Sequence, residues 1–167
     1  MAFAAEGAEP IETGRLLLEP LRAEHVAEMA PVLADPALYV FTGGAPPSAA
    51  ELGERYARQA RGRSTDGRQL WLNWIVRELE GGGAVGYVQA TVEPASGVAE
   101  VAWVVGTGFQ GRGYAREAAG AMVAWLRERS CVVTAYVHPD HAASQSVARA
   151  VGLAPTEVVR DGEARWV

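Results

Sequence analysis

The amino-acid sequence predicts an α/β fold, of the mixed α+β kind, in which a mostly antiparallel central sheet contains one parallel crossover. Three apolar segments, residues 70–78, 84–92 and 98–105, follow one another with only short turns between them, which is typical of an antiparallel meander. A long amphipathic helix over residues 114–129 then leads to another apolar segment at 131–137. A strand, a helix and a strand in this order place the two strands parallel.

The elements before the meander complete one side of the sheet and its flanking helices. Residues 15–21 form a short apolar run that predicts the first strand, so the last meander segment and the segment after the long helix become the fourth and fifth strands. Apolar residues at helical spacing predict a helix over residues 23–34. Ser48 followed by Glu51 forms a capping box, which predicts the start of a second helix that runs to about residue 61.

The elements after the fifth strand are short. Residues 143–151 have the pattern of a helix that ends at Gly152, and the last residues predict a hairpin that turns at Asp161-Gly162. The length of 167 residues fits one domain. We expect this domain to cover residues 13–167 and to follow a flexible N-terminal tail over residues 1–12.

Composition excludes several classes of function. No apolar run approaches the length of a membrane span, and the N-terminal residues lack the basic and apolar regions of a signal peptide, so we expect a cytoplasmic protein with no membrane contact. The single cysteine, Cys131, lies in an apolar run and is expected to be a buried strand residue; no cluster has zinc-ligand spacing, so no metal is expected. A net charge of −5 argues against nucleic acid as a partner and is compatible with a cationic substrate.

The segment that carries the chemistry is Val104-Val-Gly-Thr-Gly-Phe-Gln-Gly-Arg-Gly-Tyr-Ala. A strand enters a glycine-rich loop that leads directly into a helix, so the main chain can approach a ligand closely and the first helical turn offers unpaired N–H groups. Arg112 and Arg116 add positive charge. The pattern predicts an anion site suited to a pyrophosphate. Residues 106–111 also match the G-x-G-x-x-G fingerprint of nicotinamide-binding folds, but too little chain follows for the further βαβ units that such a fold needs.

The stretch Gln110-Gly-Arg-Gly-Tyr-Ala resembles the Q/R-x-x-G-x-G/A signature of the GNAT superfamily of acetyltransferases. Thr13-Gly-Arg-Leu-Leu-Leu-Glu-Pro-Leu and Ala99-Glu-Val-Ala-Trp-Val-Val are similar to the first and fourth strands of the branch that includes ribosomal-protein N-terminal-alanine acetyltransferases. His141-Ala-Ala-Ser, followed by Val151-Gly-Leu, resembles that branch's later N-x-x-S…G-F segment. The resemblance covers residues 12–167, and it implies a GNAT-like fold and acetyl transfer from acetyl-CoA to a primary amine.

The resemblance also implies where the cofactor lies. The fourth and fifth strands are expected to splay apart so that the pantetheine arm lies between them, with an amide near Val104 facing the thioester. The pyrophosphate is expected on the loop, and His141 stands where the family has an asparagine. The implied cofactor-binding residues are Trp103, Val104, Val105, Gln110, Gly111, Arg112, Gly113, Tyr114, Ala115, His141 and Ser144.

The catalytic residues are less clearly marked by the sequence. Many relatives place a tyrosine proton donor on the short helix after the fifth strand, where this chain has Ala148, whereas the ribosomal-protein branch implies Ser144 in that role. Glu100, the one carboxylate within the fourth strand, is a candidate base, and a surface carboxylate at the end of the strand is the alternative interpretation. Glu163 is a second candidate, and a water chain is the alternative to a dedicated base. Tyr39 and Phe41 are expected either in the core or as walls of the acceptor pocket.

Three questions stay open at this point. The acceptor is either a protein N-terminus or a small-molecule amine such as a polyamine or an aminoglycoside, and the fold does not decide between them. A catalytically inactive acyl-CoA-binding module or sensor is the main alternative to an enzyme. A homodimer is compatible with the sequence but is not indicated by any pattern in it.

Overall fold

The computed structural model describes Phe3 and residues 5–167 of the chain, and it confirms the predicted fold class. Within these residues a single mixed sheet has the spatial order β1-β2-β3-β4-β5-β6-β8-β7, and every neighbouring pair is antiparallel except β5 with β6. The strands are β1 (Ile11–Glu12), β2 (Leu16–Pro20), β3 (Leu70–Glu78), β4 (Ala84–Glu93), β5 (Val98–Val105), β6 (Val132–Val137), β7 (Pro155–Arg160) and β8 (Glu163–Trp166). The helices are α1 (Val26–Val32), α2 (Ala49–Gln59), α3 (Tyr114–Glu128) and α4 (Ala142–Ala150). The predicted fourth and fifth strands are therefore β5 and β6.

Several elements begin and end where the sequence predicts. Strands β3 and β5 match to the residue, and Ser48 caps α2 by accepting a hydrogen bond from the Glu51 N–H while the Glu51 side chain returns to the Ser48 N–H. The terminal hairpin turns at Asp161 and Gly162, both of which have positive φ. The one parallel strand pair among the described residues is not the repeated βαβ pattern of a nicotinamide-binding fold.

The predicted helix over residues 23–34 is shorter and divided. Ala23–His25 is a 3₁₀ turn, fixed by a hydrogen bond from the Arg22 N–H to the His25 Nδ1, and α1 itself covers only Val26–Val32. A second 3₁₀ turn, Pro36–Tyr39, follows α1. The N-terminal segment also differs from the predicted elements, because Ile11–Glu12 pairs with β2 and the Trp74 Nε1 donates to the Glu9 carbonyl at 2.7 Å. The flexibility of residues 1–12 stays a prediction, and Met1, Ala2 and Ala4 lie outside the described residues.

The two faces of the sheet bury different cores. Helices α3 and α4 cover one face, where residues such as Trp74, Met122 and Leu126 form the larger core. Helices α1 and α2 cover only part of the other face, where Met29 and Leu52 pack on Ile75 in a smaller core. Polar side chains such as those of Asn73 and Gln89 line a cavity on that second face. No helix in the described part of the chain is both long and apolar enough to cross a membrane.

Candidate active site

A gap opens in the middle of the sheet where β5 and β6 separate. The two strands pair in parallel only from Val98 with Val132 to Val101 with Ala135. Strand β5 continues along β4 to Val105, whereas the end of β6 pairs with β8 on its other side. Gly86 on β4 allows the end of β5 to lie this close to β4, because a Cβ at residue 86 would be 2.1 Å from the Val104 carbonyl oxygen. The sequence shows Gly86 only as an interruption of an apolar strand, so its part in the site was not predicted.

The main chain of β5 presents specific groups to this gap. The Gly106 N–H donates to the Val85 carbonyl on the β4 side, and the Val132 N–H donates to the Gly97 carbonyl on the β6 side. Along a strand, the main-chain N–H and C=O groups of successive residues point to opposite sides. The groups of Trp103 and Val105 therefore point into the gap, and those of Val104 point toward β4. The main-chain amides near Val104 that face the gap are therefore those of Trp103 and Val105.

The loop between β5 and α3 has the geometry of an anion site. Gly111 and Gly113 have φ values of +78° and +81°, in the left-handed region that favours glycine, and Gly113 is the N-cap of α3 without any side-chain cap. The main-chain N–H groups of residues 111–116 make no hydrogen bond to any described residue. Arg112 and Arg116 are exposed beside them. This set of free donors at the positive end of a helix dipole can hold a pyrophosphate.

Two side chains of the loop, those of Gln110 and Tyr114, hold it in shape through hydrogen bonds to other parts of the protein. The Gln110 side-chain amide donates to the Val105 carbonyl at 3.0 Å, and so fastens the loop to the end of β5. The buried Tyr114 donates its hydroxyl to Glu78 at 2.7 Å, and this bond to a carboxylate raises the pKa of Tyr114. Of the predicted binding residues in the loop, Gln110 and Tyr114 therefore have side chains with structural partners, and the groups of the loop that have no partner among the described residues are main-chain N–H groups.

Arg15 braces the loop from outside, and the sequence interpretation missed it. Its guanidinium donates to the Arg112 carbonyl at 2.9 Å and forms an ion pair with Glu117 at 2.6 Å. Burial raises the pKa of Glu117, but the hydrogen bonds from Thr13 and Arg15 outweigh it and the pKa is lowered. Arg15 and Glu117 are 102 residues apart in the sequence, so no local pattern could have joined them.

His141 and Ser144 lie on the opposite side of the gap, at the start of α4. The His141 Nδ1 accepts a hydrogen bond from the Ser144 N–H at 2.9 Å, so this histidine caps the helix, as a capping asparagine can. The half-buried Ser144 hydroxyl makes no hydrogen bond to the described residues. The ring centre of Phe41, from the loop after α1, lies 4.4 Å from the ring centre of His141 and 5.3 Å from that of His138.

The two candidate bases differ in their surroundings. Both oxygens of Glu100 are held by Arg160, at 2.5 and 3.2 Å, and the Arg160 guanidinium lies 3.7 Å from the ring centre of Tyr136. Glu163, on β8, is half-buried and forms no ion pair with a described residue. Burial raises the pKa of Glu163 above the usual 4.5. The ion pair with Arg160 argues against Glu100 as a proton acceptor, whereas Glu163 has no such partner among the described residues.

A cavity lies between α2 and the sheet, on the face of the sheet that α1 and α2 partly cover. Its volume is about 230 Å³, and its polar lining includes Arg55, Tyr56, Asn73, Tyr87 and Gln89. Strand β4 lies beside β5 in register, with Tyr87 opposite Val104 and Gln89 opposite Ala102. The cavity is therefore one strand away from the gap. Among the described residues, no group of three or more His, Cys, Asp or Glu side chains is arranged to hold a metal ion.

A model of one protein family, described as "Acetyltransferase (GNAT) domain", matches residues 15–154 of the chain. No curated protein sequence matches. Two of the similar solved structures are RimL, a ribosomal L7/L12 alpha-N-protein acetyltransferase in complex with coenzyme A, and an acetyltransferase from Agrobacterium tumefaciens. RimL is 15% identical over 95% of this chain and 96% of that chain with a TM-score of 0.76; the Agrobacterium protein is 23% identical over 98% and 95% with a TM-score of 0.75.

A third similar structure is the microcin C7 self-immunity acetyltransferase MccE in complex with acetyl-CoA and AMP. It is 11% identical over 99% of this chain and 97% of that chain, with a TM-score of 0.76. At such low identities the similar structures establish only a common fold. The family to which the chain belongs is established by the family model that matches residues 15–154.

Proposed function

We propose that this chain, which belongs to the GNAT family of acetyl-CoA-dependent acetyltransferases, transfers the acetyl group directly to a primary amine in a ternary complex. The observation that carries the proposal is the gap between β5 and β6, which leads to free main-chain donors at the start of α3. One end of this path suits a diphosphate and the other suits an acyl group.

The proposed cofactor contacts follow the path from the loop to the gap. The amides of residues 111–116 would hold the pyrophosphate, with Arg112 and Arg116 adding positive charge. On the open edge of β5, the N–H and C=O groups of Trp103 and the N–H of Val105 would pair with the pantetheine arm as a neighbouring strand does, since the Val105 carbonyl already accepts from Gln110. Acetyl-CoA supplies a reactive thioester, and an N–H aimed at its carbonyl oxygen would stabilise negative charge that develops there.

Two proton transfers complete the proposed reaction. Ser144 is the proposed donor to the departing sulfur, since its hydroxyl is half-buried in the first turn of α4 and has no hydrogen-bond partner among the described residues. The proposed acceptor of the amine proton is Glu163, because an unpaired carboxylate with a raised pKa is a better base near neutral pH than one bound to an arginine.

An assay of thiol release tests this function. Purified protein with acetyl-CoA should release free thiol in the presence of a primary amine and not in its absence. Ser144→Ala should lower kcat by about tenfold to a hundredfold and leave acetyl-CoA affinity within about twofold. Ser146→Ala, on the exposed side of the same helix, is the matched control and should change neither quantity.

Two other outcomes would contradict the proposal. Acetyl-CoA at a hundred times its Kd should stabilise the fold by roughly 2.7 kcal/mol. If it does so but no amine causes thiol release, the chain is a catalytically inactive acyl-CoA-binding module or sensor. If acetyl-CoA does not stabilise the fold at all, the assignment of the gap as its binding site is wrong.

A further inference from the structure

The cavity beneath α2 carries one formal charge, and that charge is positive. Arg55 lines the cavity, and no aspartate or glutamate does. Arg55 is half-exposed and forms no ion pair with a described carboxylate, whereas Arg22, Arg77 and Arg160 each do. The cavity therefore offers an unpaired guanidinium, whose fork of N–H donors matches a carboxylate in geometry.

The buried hydroxyl of Tyr56 is a second, independent sign that a ligand belongs here. Tyr56 is 3% exposed and lines the cavity, yet its hydroxyl makes no hydrogen bond. Buried polar groups in folded proteins almost always have a partner, so an orphaned hydroxyl beside a cavity needs an explanation. Burial raises the pKa of Tyr56 and of Tyr87, and the charge of Arg55 opposes both rises, which is consistent with all three groups facing the same space.

We propose that the acceptor is a small amine that also carries a carboxylate, with the carboxylate bound by Arg55 and the Tyr56 hydroxyl. This inference rests on the proposed function and names the class of its acceptor. A polyamine or an aminoglycoside would bring further positive charge to Arg55 with no carboxylate to balance it. The overall charge of −5 is thus a poor guide to the acceptor, because the local charge in the cavity has the opposite sign.

The geometry separates the two ends of this acceptor. Asn73 and Gln89 pair across β3 and β4, and Gln89 in turn lies opposite Ala102 of β5, all with side chains on the α2 face. The gap begins on the far edge of β5, so the cavity and the gap are one to two strand spacings apart, or about 5–10 Å. The amine and the carboxylate should accordingly lie at opposite ends of an extended chain. A cavity of about 230 Å³ is smaller than the roughly 300–1,000 Å³ typical of drug-sized ligands, which suits a compact acceptor.

Binding of matched amines to the protein saturated with coenzyme A tests the inference. The probes are 6-aminohexanoate, 1-aminohexane and 1,6-diaminohexane, which share a chain and differ in the group at its far end. Calorimetric titration should give a Kd for 6-aminohexanoate at least about tenfold below that of 1-aminohexane, with the diamine weakest. Equal Kd values, or the tightest binding by the diamine, would overturn the inference.

Two variants and a control attribute the preference to the cavity. Arg55→Gln should reduce the Kd ratio between 1-aminohexane and 6-aminohexanoate to near one, whereas Arg61→Gln, which removes an exposed charge just beyond α2, should leave the ratio unchanged. Tyr56→Phe should weaken 6-aminohexanoate by a few-fold without lowering Tm, because the hydroxyl has no partner to lose. If Arg55→Gln leaves the Kd ratio between 1-aminohexane and 6-aminohexanoate unchanged, Arg55 does not bind the carboxylate.

These binding measurements stand apart from the test of the reaction. Thiol release from all amines at equal kcat/KM would overturn the carboxylate preference and leave the acetyltransferase proposal intact. A carboxylate preference in Kd without thiol release from any amine would support the cavity assignment and contradict the proposed reaction.

Discussion

The two proposed binding sites, the loop before α3 and the cavity beneath α2, are built in opposite ways. In the loop the main chain faces outward with free N–H groups, while the side chains of Gln110 and Tyr114 turn back to hold the backbone. In the cavity the main chain is committed to β3 and β4, and side chains such as Arg55 and Tyr56 face the ligand space. The first site depends on backbone conformation, and the second depends on side-chain identity.

The difference predicts which substitutions each site tolerates. A main-chain site keeps its chemistry when most of its residues change, provided that residues with special φ values remain. A side-chain site can change its ligand through a single substitution and leave the fold intact. In this chain the cofactor end should therefore be sensitive at its glycines, and the acceptor end at its polar side chains.

The largest effect is expected at Gly113. A valine there would have to adopt a φ of +81°, at a cost of about 1–2 kcal/mol, and its Cβ would lie 3.4 Å from the Arg15 guanidinium. Gly113→Val should raise the Kd for acetyl-CoA at least about tenfold, measured by calorimetry. Gly120→Ala, in the middle of α3 with open space around it, is the control and should stabilise the fold by about 0.5–1 kcal/mol at unchanged Kd. An unchanged Kd in Gly113→Val would show that the loop backbone does not hold the cofactor.

The next effect concerns the side-chain chemistry of Glu163. A carboxylate accepts a proton only when ionised, so kcat/KM should rise with pH through the pKa of Glu163, which burial places above 4.5. Glu163→Gln should lower kcat/KM about tenfold near neutral pH and abolish this acid limb. Glu157→Gln, on an exposed strand position nearby, should keep the wild-type profile. If Glu163→Gln shows the same rise of kcat/KM with pH as the wild type, a group other than Glu163 causes that rise.

The two sites also differ in how far the sequence could predict them. Residues 106–115 were recognisable because glycines, the strand before them and the helix after them are contiguous in the chain. The cavity combines Arg55 and Tyr56 from α2 with Asn73 and Gln89 from two strands, and only the folded sheet brings these together. The ion pair between Glu100 and Arg160 spans 60 residues, so the alternation of side chains along β5 could not reveal the partner of Glu100.

A smaller effect is expected where Glu28 of α1 is held by Arg77 of β3. Arg77 holds Glu28 through two contacts, one of them 2.9 Å long, and the Ala84 N–H also donates to Glu28. The hydrogen bond from Arg77 is the main cause of the lowered pKa of Glu28, so its stabilisation is present above the usual pKa of 4.5 and is lost as the pH falls through the lower folded value. Glu28→Gln should lose about 1 kcal/mol at pH 7, and the loss should shrink below about pH 4.

Thermal unfolding across pH measures this difference. Glu54→Gln, which removes an exposed carboxylate of α2, is the control and should leave Tm unchanged at every pH. Acetyl-CoA affinity should not change in either variant, because neither residue contacts the loop. A constant loss of stability down to pH 3 in Glu28→Gln would show that the charge of Glu28 is not what stabilises α1.

The smallest effect is expected at Glu100, which the sequence offered as one candidate for the catalytic base. Since Arg160 holds both of its oxygens and is itself stacked on Tyr136, Glu100 serves as the anchor of a surface ion pair. Glu100→Gln should therefore keep kcat within about threefold and cost at most about 1 kcal/mol of stability. Arg160→Gln should behave in the same way, because each variant removes one partner of the same pair. A hundredfold fall of kcat in Glu100→Gln, with wild-type kcat in Arg160→Gln, would identify Glu100 as the base and show that Arg160 has no part in the reaction.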